Sequence, residues 1–74
     1  MNEIWIIRDD SHSYSGDIYA AYQKYDDALH DFKVRCEEMC AEIQNEPWDS
    51  DKENSQFAIT GGNWYIILEP VQFV

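Results

Sequence analysis

Seventy-four residues, with fifteen Asp and Glu against five Lys and Arg and a formal charge of −10, leave room for a single domain over 1–74. Apolar residues at 45% and aromatics at 15% supply enough apolar surface to offset chain entropy, which excludes an intrinsically disordered chain. The charge balance repels nucleic acid and anionic membrane, and no apolar stretch approaches the ~20 residues of a membrane span.

Glu3 to Arg8 is β-branched and aromatic and predicts a first strand. Asp9 to Gly16 is turn chemistry, short polar side chains closed by a glycine, and is long for a hairpin connection. Asp17 to Tyr22 predicts a second strand pairing back on the first. Tyr25, Ala28, Leu29, Phe32, Cys36, Met39, Cys40 and Ile43 then recur at three- and four-residue intervals, which predicts one amphipathic helix ended by Pro47. Asp26 and Asp27 suit its first turn, and Asp31 with Arg35 and Lys33 with Glu37 are spaced to pair along its surface. No Ser or Thr caps its start, so Asp26 caps it or the helix begins a residue or two earlier.

Glu46 to Asn54 reads as a polar loop. Gln56 to Thr60 predicts a third strand, Gly61-Gly62-Asn63 a hairpin turn, and Trp64 to Glu69 a fourth strand. Pro70 marks an edge, a bend or the strand's end, and the apolar tail Val71 to Val74 is expected to stay packed. The order ββαββ predicts an α+β fold, a four-stranded antiparallel sheet with one helix on one face. Alternation leaves two apolar sets on the strands. If Ile4, Ile6, Ile18, Tyr22, Phe57, Ile59, Ile66 and Leu68 face the helix, then Trp5, Ile7, Tyr19, Tyr65 and Ile67 occupy the opposite, uncovered face.

Convergent catalytic chemistry is missing. His12 lies between Ser11 and Ser13 in an acidic loop, which seldom holds a nucleophile and base in register. Paired carboxylates without a pocket to shift one of them are solvated charges. Cys36 and Cys40 fall on the apolar stripe as free core thiols, short of the further ligands that zinc would require. Two cysteines are also few for a secreted domain of this size, and no basic segment followed by an apolar run opens the sequence. A cytoplasmic, non-catalytic protein without metal or cofactor is expected.

Two surfaces remain as candidates for a partner. On a helical wheel Asp27, Asp31, Glu38 and Glu42 form a ridge opposite the apolar stripe, and Asp49, Asp51 and Glu53 carry the charge into the next loop. Carboxylates so gathered repel one another unless something cationic meets them, though a solvated helix face is the commoner outcome. Such a ridge can take the place of phosphates in a groove that binds DNA or RNA. The second surface is the aromatic set Trp5, Tyr19 and Tyr65, whose composition matches interface cores and would suit an adaptor or a homodimer. Only Arg8 stands near it to hold phosphates, which argues against direct nucleic-acid binding.

In size, charge and economy of fold the chain resembles small acidic proteins of phages and mobile elements, among them anti-CRISPR and other DNA-mimic inhibitors of host defence. Ile18 to Phe32 also looks like the strand-turn-helix of small phage proteins. The resemblance implies an inhibitor that docks on a basic surface of a nucleic-acid-binding protein of the host, such as a CRISPR-Cas effector, in the host cytoplasm.

Overall fold

A computed structural model describes residues 2–11, 15–62 and 64–73; His12, Ser13, Asn63 and Val74, each part of an expectation above, lie outside them. The elements in chain order are β1 (Asn2–Ser11), β2 (Ser15–Tyr22), α1 (Tyr25–Glu38), β3 (Glu42–Ile43), β4 (Gln56–Ile59) and β5 (Trp64–Phe73). The fold is α+β with one helix, and its sheet has five antiparallel strands in the order β2-β1-β5-β4-β3, not four. Both expected hairpins form, β1 with β2 and β4 with β5. What joins them is the pairing of β1 with β5, in register from Asn2 opposite Phe73 to Ser11 opposite Trp64. Pro70 lies within β5 opposite Trp5. β4 reaches only as far as Leu68, so at Pro70 the strand is flanked on one side and its missing N–H is tolerated.

The helix starts at Tyr25 after Lys24, which gives no side-chain cap, and Asp26 and Asp27 lie in its first turn. It ends at Glu38, well short of Pro47. The stop is a Schellman motif: the Cys40 N–H donates to the Glu37 carbonyl at 3.2 Å and the Ala41 N–H to the Cys36 carbonyl at 2.8 Å. Cys40 takes the left-handed position, with φ 55°, where glycine is usual. The chain then leaves as the two-residue strand β3, with Glu42 opposite Ile59 and Ile43 opposite Ala58. Met39, Cys40 and Ile43, expected on the buried stripe, are therefore exposed, and of the two cysteines only Cys36 is core.

Trp5, Ile7, Ala28, Phe32, Cys36, Ala58, Ile66 and Leu68 form the core between helix and sheet. The expected faces of β1 and β4 are therefore reversed: Trp5, Ile7 and Ala58 meet the helix, and Ile4, Ile6, Phe57 and Ile59 belong to the other face. Both faces of β1 are apolar, so alternation alone does not choose between them. The helix side takes the indole, whose ring sits edge-on to Tyr25 at 4.7 Å. In β2 a register shift opposite Ile7 and Arg8 makes Tyr19 an extra residue. Tyr19 thereby joins Ala20 and Tyr22 against the core, while Ile18 turns outward at 61% exposure.

The second face is not left uncovered. The loop after β3 lays Trp48 against Phe57 and Tyr65, with ring centroids 5.4 and 5.3 Å away. Ile67, which pairs with Phe57, is fully buried there, so β5 is buried on both sides. Among the described residues no helix is long and apolar enough to cross a membrane.

A β-carbon in the left-handed region costs about 1 kcal/mol. Cys40→Gly should therefore raise the urea midpoint and lift the melting temperature by about 4–8 °C. A lower midpoint would show that the Cys40 side chain contributes more than its backbone costs.

Candidate functional site

The five cations decide how much of the negative charge reaches the surface. Arg8 in β1 is diagonal to Glu69 in β5, within reach of long side chains across one face of an antiparallel pair. Its Nε donates to Glu69 Oε2 at 2.7 Å and its Nη1 to Asp10 at 3.3 Å. Lys52, from the loop that carries Trp48, donates to the other Glu69 oxygen at 3.2 Å. Glu69 is only 6% exposed, so it is a buried carboxylate held between two cations. Burial works against the Arg8 charge, but Glu69 and Asp10 outweigh it and hold the guanidinium above its ordinary value. Arg35 pairs with Asp31 at 2.8 Å as its spacing predicts, and its guanidinium carbon lies 5.3 Å from the Tyr19 ring centre. Lys33 and Glu37 remain exposed and do not pair.

Three cations are thus ion-paired and half-buried, and only Lys24 and Lys33 are exposed. Of the fifteen carboxylate residues, Asp9, Asp10, Asp31, Asp49 and Glu69 are buried or half-buried, which leaves ten exposed. They are distributed over the molecule instead of following one line. Asp27 and Glu38 stand on the outer side of α1, about 17 Å apart at 1.5 Å per residue, with exposed Val34 between them. Glu42 has left the helix for β3, so the expected ridge of four is shorter. Asp31 is half-buried, accepting from the Tyr22 hydroxyl as well as from Arg35, and its carboxylate raises the Tyr22 phenol above its ordinary value.

In the loop, Asp49 is half-buried and shapes a turn: its Oδ1 accepts the Asp51 N–H at 2.9 Å, and its own N–H donates to Ser55 Oγ at 3.2 Å. Asp51 and Glu53 are exposed and meet Glu3 along a groove of about 440 Å³ that also includes Lys52. The aromatic surface expected from Trp5, Tyr19 and Tyr65 does not form. Trp5 and Tyr19 pack on the helix side, and Tyr65 is half-buried beneath Trp48.

Sequence reasoning missed the Arg8–Glu69–Lys52 network. Its signal was the one Arg of β1 and the one Glu of β5, which only the β1–β5 register brings together. It also missed a cavity of about 260 Å³ beyond the end of α1, lined by Asp9, Tyr19, Met39, Thr60, Trp64 and Ile66. The early helix stop opens it, and a helix continuing to Pro47 would have hidden it. Among the described residues no group of three or more His, Cys, Asp and Glu is placed to hold a metal.

Removing Arg8 would leave Glu69 buried with Lys52 alone. Arg8→Met should cost about 2–3 kcal/mol in urea unfolding, and adding Glu69→Leu should restore more than half of that loss. Equal stability of Arg8→Met and the parent chain would show that the network contributes nothing. The two thiols should differ as well. Burial pushes Cys36 up to about 11, whereas Cys40 is exposed. A thiol reagent at pH 8 should therefore label one cysteine quickly, Cys40 by peptide mapping, and the second only in denaturant. No family model matches the chain, and the comparisons with curated proteins and with solved structures found no match.

Proposed function

We propose that the chain is a non-catalytic inhibitory protein that docks its acidic surface on the basic nucleic-acid-binding groove of another protein and excludes the nucleic acid. The observation that carries this reading is the exposed charge: ten exposed carboxylate residues against two exposed lysines, the other three cations being paired with carboxylates. A surface so one-sided gives a long-range field that steers basic partners and repels phosphate. Asp27, Glu38, Asp51 and Glu53 are the exposed residues best placed to contribute, since none of them is engaged in holding the fold. The resemblance in size and charge to phage inhibitors of host defence makes a CRISPR-Cas effector the first partner to try.

The test uses purified effector complexes loaded with fluorescein-labelled duplex DNA. The chain should displace the duplex, with an affinity that falls steeply between about 50 and 300 mM salt. Asp27→Lys combined with Glu38→Lys should weaken displacement about tenfold and leave the melting temperature nearly unchanged. Asp31 is unsuitable for charge reversal because it holds Tyr22 and Arg35, so its loss would report on folding. Displacement that ignored salt and the double substitution would overturn the proposal.

A further inference from the structure

The cavity beyond the end of α1 has features that the fold itself does not need. β1 and β5 each run ten residues, about 33 Å at 3.3 Å per residue, whereas the fourteen-residue helix is about 21 Å long. The helix therefore stops short of the sheet's end, and near the pairing of Asp9 with buried Ile66 a pocket lies beside Met39 at the helix C-cap. At about 260 Å³ the space is smaller than an ordinary small-molecule site and suits a single side chain. Met39, Ile66 and Trp64 supply apolar and aromatic wall. Asp9 supplies the charge: its Oδ2 accepts from the Tyr19 hydroxyl at 2.9 Å, while its Oδ1 is buried without a hydrogen-bond donor.

An inaccessible carboxylate oxygen without a donor costs free energy in the free protein. The Thr60 hydroxyl does not relieve it, being engaged with the backbone of Gly62 and Trp64. Arg35 stands over Tyr19 but is committed to Asp31. A cation entering the cavity would bring the positive charge that Asp9 lacks, and the field of a chain at −10 favours its entry.

We propose that this cavity receives an arginine side chain of the basic partner and anchors the docked complex, an inference that rests on the docking proposed above. The guanidinium is flat and weakly hydrated, which suits aromatic and thioether walls better than a compact ammonium does. The flexible Met39 side chain, 45% exposed, is the wall that yields to admit it.

The test titrates the isolated protein with Nα-acetyl-arginine methylamide and follows backbone and indole N–H shifts by NMR. Nα-acetyl-citrulline methylamide serves as the neutral isostere. The arginine probe should saturate with a dissociation constant on the order of 1 mM, with shifts confined to Asp9, Tyr19, Met39, Thr60, Trp64 and Ile66. The citrulline probe should bind at least about tenfold more weakly. Asp9→Asn should abolish the arginine response yet melt at the same temperature or higher. It removes a half-buried charge that has no ion-pair partner among the described residues, while keeping an acceptor for Tyr19. Trp64→Ala, at a position 36% exposed, gives a second variant that keeps the core intact and should also lose the response.

Equal binding of the two probes, no saturation, or an unchanged response in Asp9→Asn would each overturn the proposal. Because no partner is present, such a failure leaves salt-dependent docking standing. Conversely, an arginine response confined to the cavity, alongside displacement insensitive to salt, would refute the docking surface alone.

Discussion

Everything in this fold depends on the antiparallel pairing of β1 with β5. The strand nearest one end of the chain and the strand nearest the other lie side by side at the centre of the sheet, and each hairpin adds its remaining strand outside them. The core side chains Ile7, Ile66 and Leu68 face the helix from these two strands, and Arg8 meets Glu69 across them. Such contacts span most of the sequence, so the chain-closure entropy must be met before burial offsets it. Local elements alone, a β1–β2 hairpin and a fourteen-residue helix, do not enclose a core.

The helix terminus sets the second constraint. Placing the left-handed residue at Cys40 turns the chain away from the sheet end and frees Glu42 and Ile43 to make an edge strand. It then sends the following loop to the opposite face, where Trp48 closes a smaller aromatic cluster over Ile67. Coverage of the sheet is thus divided between a helix on one side and a loop on the other. Where the helix stops short of the sheet's end lies the cavity at Asp9.

Much of the local structure was legible in the sequence because it is written in period and turn chemistry. The two hairpins, the helix start near Tyr25 and the pairing of Asp31 with Arg35 follow from spacing alone. The face of β1 was not legible, because Ile4 and Ile6 on one side and Trp5 and Ile7 on the other are equally apolar. Tyr19 was misplaced because a bulge adds a residue to one strand, and nothing in its own sequence marks it. The helix end was hidden because a cysteine occupies a position where glycine would have signalled a stop. The surface charge was legible as a total but not as a pattern. Arg8 is engaged only because β1 and β5, far apart in sequence, pair side by side. Asp31 left the expected ridge to hold Tyr22 and Arg35, and Glu42 left it because the helix stops early.

The bulged strand β2 bears on a different matter, the behaviour of the chain at high concentration. A sheet that is not closed has two edges, and an unpaired edge is a template for strand addition and fibril growth. Here the outer strand on one side is β3, only two residues long. The stretch of β5 beyond β4 that also lies along that side carries Pro70, which cannot donate to an added strand. The other outer strand is β2, kinked by its register shifts and carrying exposed Asp17 beside exposed Ile18. Another copy approaching that edge meets a bent ladder and a like-charged surface, so neither geometry nor electrostatics favours growth. The chain can therefore reach high concentration without its sheet edges seeding aggregates.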